Sequence, residues 1–172
     1  MRKSNRWVGL LGAMGLVIGG LFFTASASAQ DPADPVQAQK ADKSLVGFLL
    51  VSYMNNRCLE VRDGNTGNGA MLDMWDCHGY PAERFYWDNG QIRSDLTGKC
   101  LDIVASNREN GAGVNMFDCH GWPAQQWHWD GNRLVSNLSG RCLDISGANP
   151  YVGASVQMWE CNNGPAQNWR TS

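Results

Sequence analysis

From residue 45 onward, apolar side chains come in short runs separated by clusters of Gly, Asn and Asp, as in Arg133-Leu-Val-Ser, Cys142-Leu-Asp-Ile and Ser155-Val-Gln-Met-Trp. Short runs bounded by turn formers predict β-strands of four to six residues, about four to each stretch of 42. Within Val156-Gln157-Met158-Trp159 the alternation places Val156 and Met158 on one face and Gln157 and Trp159 on the other. The long 3.6-residue periods that helical repeats require are missing.

The runs recur at a fixed interval. Cys58, Cys100 and Cys142 are 42 residues apart, as are Cys77, Cys119 and Cys161, and the two cysteines of each repeat are 19 apart. Around them Cys-Leu-Glu-Val at 58–61 superposes on Cys-Leu-Asp-Ile at 100–103 and 142–145. Gly69-Ala70, Met74, Pro81-Ala82 and Phe85 superpose on Gly111-Ala112, Met116, Pro123-Ala124 and Trp127, and again on Gly153-Ala154, Met158, Pro165-Ala166 and Trp169. One such unit cannot cover its own apolar face, so neighbours must share a core. Three propeller blades are fewer than the four to eight that usually close a ring. The pattern therefore predicts an all-β fold, a closed three-fold barrel of about twelve short strands. Its core is expected from Leu59, Leu101, Leu143, Val114, Val156, Phe85, Trp127 and Trp169.

The first 44 residues carry a different pattern. A basic Met1–Arg6 segment, an apolar stretch from Trp7 to Phe23 and the small residues Ala27-Ser28-Ala29 predict a secretory signal peptide over 1–29. An uncleaved membrane anchor is the competing reading of that stretch, which at 17 residues is near the lower limit for a span. Residues 30–44 hold two Pro, five charges and no aromatic, too little apolar surface to fold, and are expected to be a disordered spacer. The repeats at 45–172 are then the one folded domain of a secreted, extracellular or periplasmic protein.

Charge and cysteine content narrow the partners. The chain has 14 Lys+Arg; without Arg2, Lys3 and Arg6 of the signal, 11 remain against 16 Asp+Glu. A net charge of about −5 disfavours nucleic acid and other polyanions as partners. Six cysteines allow 15 pairings, of which the repeat favours the symmetric one: Cys58 with Cys77, Cys100 with Cys119 and Cys142 with Cys161. Export permits such oxidation. The rival use of these thiols, as metal ligands beside His78 and His120, is weakened by Asn162 in the third repeat and by the absence of any Cys-x-x-Cys pair. No metal and no cofactor is expected.

Four polar or aromatic positions recur without being needed for a core. They are an acid (Glu60, Asp102, Asp144), a polar partner (Asp73, Asn115, Gln157), a ring (Trp75, Phe117, Trp159) and the residue after the second cysteine (His78, His120, Asn162). A sugar has an apolar C–H face that packs on a ring and a rim of hydroxyls that a carboxylate and an amide can hold. Core rings and turn-forming acids are the plainer reading. The strand alternation, which sends Gln157 and Trp159 out together, favours the site.

These residues, with Gln125-x-Trp127 and Gln167-x-Trp169, resemble the ricin B-chain type of lectin repeat, of the family 13 carbohydrate-binding module type, across all three repeats. The resemblance implies a β-trefoil with up to three galactose- or xylose-type pockets. In it the acid anchors hydroxyls, the ring stacks, and the Gln of Gln-x-Trp steadies the acid while the Trp is core. Carried over, the second pocket comprises Asp102, Asn115, Phe117, His120 and Gln125, and the third Asp144, Gln157, Trp159, Asn162 and Gln167. The first departs, with Glu60 for Asp and Glu83-Arg84-Phe85 for Gln-x-Trp; Asp73, Trp75 and His78 survive, which suggests a retuned pocket. Ala82, Ala124 and Ala166 stand where many relatives have a sugar-contacting Asn.

The expected function is multivalent, non-catalytic binding of extracellular glycans. Catalysis is disfavoured because a catalytic pair is normally one asymmetric constellation, and no Gly-x-Ser-x-Gly, His-Glu-x-x-His or phosphate loop occurs. The alternatives are a targeting or delivery subunit for a separately encoded toxin or hydrolase, or a trefoil that docks a protein partner.

Overall fold

The computed structural model describes residues 47–172; the expected signal peptide and spacer lie outside the described residues. Twelve strands follow one another in three lobes of four. The first holds β1 (Phe48–Ser52), β2 (Cys58–Val61), β3 (Ala70–Trp75) and β4 (Arg84–Asp88). The second holds β5 (Gln91–Ser94), β6 (Cys100–Ile103), β7 (Ala112–Phe117) and β8 (Trp127–Asp130). The third holds β9 (Arg133–Ser136), β10 (Cys142–Ile145), β11 (Ala154–Trp159) and β12 (Trp169–Thr171).

Two layers result. The antiparallel pairs β4–β5, β8–β9 and β12–β1 each join neighbouring lobes, the last closing the third lobe onto the first. Backbone bonds from Trp127 N to Gly90 O at 2.9 Å and from Trp169 N to Asn132 O at 2.8 Å stitch successive pairs together. Above them the hairpins β2–β3, β6–β7 and β10–β11 form a triangular cap, because β3 pairs β7, β7 pairs β11 and β11 pairs β3. This is the closed three-fold barrel that the repeat predicted and the β-trefoil that the resemblance implied, and closure removes the open edges that a flat sheet would expose.

Strand alternation fills its interior. Leu59, Leu101, Leu143, Val114, Val156, Phe85, Trp127 and Trp169 are all buried in a single cluster. The indole N–H of Trp127 donates to Leu101 O and that of Trp169 to Leu143 O, both at 3.0 Å, so each large ring also satisfies a buried carbonyl of its own lobe. Phe85 has no such donor to offer in the first lobe.

Disulfides join Cys58–Cys77, Cys100–Cys119 and Cys142–Cys161, the symmetric pairing among the fifteen. Each closes a loop whose restriction in the unfolded chain stabilises the fold by about 3 kcal/mol. Polar ties run from lobe to lobe around the axis. Asn68 Oδ1 accepts from Lys99 Nζ and Asp118 N, Asn110 Oδ1 accepts from Arg141 Nε and Glu160 N, and Arg57 returns the circuit by donating to Pro150 O.

Candidate functional site

The cap hairpins set the geometry of three outward faces. In the third lobe, antiparallel register pairs Asp144 with Gln157 and Cys142 with Trp159. Leu143, Ile145, Val156 and Met158 take the opposite face and are buried, so acid, amide and ring share the outer one. The same register pairs Asp102 with Asn115 in the second lobe and Glu60 with Asp73 in the first. The rings remain accessible: Trp75 is 42% exposed, Phe117 40% and Trp159 39%.

In the third lobe these side chains surround a cavity of about 420 Å³, lined by Asp144, Gln157, Trp159 and Asn162 with Ser146 and Ala166 among its walls. Gln157 Nε2 donates to Asp144 Oδ1 at 3.1 Å and Gln167 Nε2 to Asp144 Oδ2 at 3.0 Å, which fixes the carboxylate while leaving each oxygen a free lone pair. Gln167 is itself fully buried. It also donates to Glu160 O and accepts from the Asn162 amide, each at 2.9 Å, so it pins the segment after the disulfide behind the acid. Asn162 Oδ1 in turn accepts from Gly164 N at 2.8 Å.

The second lobe builds a cavity of about 340 Å³ from Asp102, Asn115, Phe117, His120 and Trp122 with Val104, Ala105 and Ser106. Gln125 repeats the clamp, donating to Asp118 O at 3.0 Å and accepting from His120 N at 2.9 Å. The Trp122 amide donates to His120 Nδ1 at 3.2 Å, which assigns the ring proton to Nε2, 3.1 Å from Asp102 Oδ2. The imidazole thereby backs the Asp102 carboxylate, while Asn115 Oδ1 is a buried acceptor without a donor among the described residues. Burial raises the Asp102 carboxyl above the usual aspartate range, offset in part by hydrogen bonding from Gln125 and by the nearby His120.

The first lobe keeps the frame and alters the chemistry. Glu83 occupies the position of Gln125 and Gln167 and retains half of its task, its Oε2 accepting from His78 N at 2.8 Å and Gly79 N at 2.5 Å. As a carboxylate it has no N–H to give to Glu60. Arg62, where the other lobes have Val104 and Ser146, pairs with Asp73 Oδ2 at 2.8 Å. Burial raises the carboxyls of both Glu60 and Asp73; Glu83 and Asp73 push Glu60 further, and Arg62 pulls Asp73 part of the way back.

The expected site residues thus gather lobe by lobe. Gln125 and Gln167, grouped with the site residues from sequence as the side chains that steady the acids, are fully buried and stand behind Asp102 and Asp144 in that role. One wall was missed. The residue before the repeated Pro is Tyr80, Trp122 and Gly164 in turn. Trp122 sits 4.9 Å from His120 between ring centroids and Tyr80 stacks on His78 at 5.5 Å, giving two lobes a second aromatic surface that the third lacks. The signal was available as an aromatic-Pro-Ala step that loses its ring in the third repeat.

Comparison with known proteins agrees with this geometry. The family model for the Ricin-type beta-trefoil lectin domain matches residues 47–169. Similar solved structures include ThreeFoil, a designed 3-fold symmetric protein, at 25% identity and TM-score 0.68 over 73% of this chain and 96% of that one. Another is the C-half of the earthworm R-type lectin in complex with GalNAc, at 24% identity and TM-score 0.62 over 73% of this chain and 97% of that one. A third is the β-trefoil lectin of the Vibrio vulnificus hemolysin/cytolysin with N-acetyl-D-lactosamine bound, at 27% identity and TM-score 0.61 over 74% and 93%. No curated protein gives a significant match. On the family match over 47–169, joined to three disulfide-bonded lobes that repeat one outward face, the chain belongs to the ricin-type β-trefoil lectin family.

Proposed function

We propose that the chain is a secreted, non-catalytic and multivalent carbohydrate-binding protein whose second and third pockets take galactose- or xylose-type residues of extracellular glycans. The observation that carries this reading is the repeated grouping of an exposed ring with a fixed carboxylate and amide around a monosaccharide-sized cavity: Trp159, Asp144 and Gln157 in one lobe, Phe117, Asp102 and Asn115 in another. The ring offers a plane for the C–H face of a pyranose, and each carboxylate accepts from adjacent hydroxyls through charge-assisted bonds. Binding of this kind needs no acid, base or nucleophile acting on a bond.

Affinity per pocket is modest. About twelve heavy atoms at roughly −0.3 kcal/mol each give about −4 kcal/mol, near millimolar. Two or three pockets engaging one branched or polymeric glycan raise effective affinity by about 10²–10⁴. Export, inferred from the basic, apolar and small-residue segments of 1–29, is consistent with three disulfides.

Titration of galactosides and xylo-oligosaccharides followed by tryptophan fluorescence tests the reading. Saturable binding is expected, weakened in Trp159→Ala with the thermal midpoint unchanged; no saturable response to any member of the panel would contradict it. A second reading, delivery of a separately encoded toxin or hydrolase, is favoured by the likeness to the lectin part of a hemolysin/cytolysin. It uses the same pockets and adds a protein partner.

A further inference from the structure

The second pocket holds a ring that binding of one sugar residue does not require. Phe117, on the outer face of the cap hairpin with Asp102, already supplies a stacking plane, as Trp159 does with Asp144 in the third lobe. Trp122 lines the same cavity from a different element, the turn that leads into Pro123, and is 67% exposed. Its placement is fixed despite that exposure. The Trp122 amide donates to His120 Nδ1 at 3.2 Å, its carbonyl accepts from Gln125 N at 2.9 Å, and its backbone is extended (φ −72°, ψ 163°), as the following proline favours. Its indole lies 4.9 Å from the His120 imidazole between centroids, and Phe117 lies 6.5 Å from the same imidazole, whose Nε2 is 3.1 Å from Asp102. Two exposed rings and an acid thus share one cavity. The third cavity is larger but has Gly164 at this position and offers Trp159 alone as a plane.

Resting on the carbohydrate-binding reading above, we propose that the second pocket takes two linked sugar residues, one on Phe117 at Asp102 and its neighbour on Trp122, whereas the third pocket takes one. Trp122 is then the residue that sets the length of glycan recognised. A pyranose on Phe117 with its hydroxyls on Asp102 uses one plane and leaves the indole open to water. A linked neighbour supplies a second apolar C–H face, and a ring already held in place loses little further freedom when covered. Were the second ring to serve the first sugar instead, it would strengthen binding of mono- and disaccharide alike, so the two uses are separable.

The test is a titration of the full nitrogen-15-labelled chain with galactose, lactose, xylose and xylobiose. The His120 amide reports the second pocket and the Trp159 indole the third. At His120 at least one disaccharide should bind about tenfold more tightly than its monosaccharide, a difference of about 1.4 kcal/mol, while at Trp159 the two should agree within about twofold. In Trp122→Gly, which copies the third lobe, the gain should vanish with monosaccharide affinity at His120 unchanged; Trp122→Tyr should retain most of it. Equal affinities at His120 in the wild type, a gain that survives Trp122→Gly, an equal loss for both sugar lengths in that variant, or silence of His120 while Trp159 responds would each overturn the assignment. Silence at both reporters toward every sugar would instead refute the carbohydrate reading on which it rests.

Discussion

Trp159 and Trp169 are ten positions apart and have opposite fates, one on the outer face of a cap hairpin, the other in the core with its N–H on Leu143 O. Trp169→Ala should cost about 3–5 kcal/mol, the range for deleting a buried aromatic, seen as a lowered denaturation midpoint. The acids of the first lobe predict a pH effect. Glu60 and Asp73 hold their protons more tightly in the fold than in the unfolded chain. The stability this contributes is complete below the ordinary carboxylate pKa of about 4 and is lost as pH rises through the raised folded values. Glu60→Gln should therefore raise the midpoint at neutral pH and flatten its decline with rising pH, measured by chemical denaturation across that window. In the second lobe the same upward displacement of Asp102 means that binding there should weaken on acidification before pH reaches the ordinary aspartate range.

At the scale of elements, strand alternation and the 42-residue interval made the hairpins readable, because a half-buried strand writes its two faces into alternate residues. The short turns between them were not. Each β2-type strand is followed by one helical turn whose middle residue has positive φ: Asp63 at 55°, Ala105 at 53° and Gly147 at 62°. Only the third repeat places Gly there, and an Ala in sequence gives no hint that it adopts the left-handed region. Ala105→Gly relieves about 1–2 kcal/mol of steric cost and returns about 0.4–1 kcal/mol of chain entropy. It should stabilise the protein by about 0.5 kcal/mol, detectable as a small upward shift in thermal midpoint. Arg62, Tyr80 and Trp122 escaped the sequence reading for the converse reason: they are single departures from the repeat, and a repeat directs attention to what recurs.

For the whole molecule, three-fold closure turns one modest face into an array. The cap hairpins pair with one another, and Asn68, Asn110 and Arg57 tie each lobe to the next, so the pockets are held at fixed separations by a common core. These ties were invisible in sequence because their partners lie far apart along the chain, Asn68 and Asp118 by 50 residues. The lobes are unequal: an amide-fixed acid with an open wall in the third, a His-backed acid under Trp122 in the second, and an acid cluster in the first. On the proposed reading, a glycan meets a set of related but distinct faces. The most direct measurement is calorimetric titration of the full chain with a multivalent galactoside or xylan fragment, in wild type and in Asp102→Asn, Asp144→Asn and the double variant. At least two sites per chain are predicted, lost one at a time in the single variants, with apparent affinity falling by about 10²-fold or more once only one remains. Undiminished binding in the double variant, or no saturable heat in the wild type, would contradict the account.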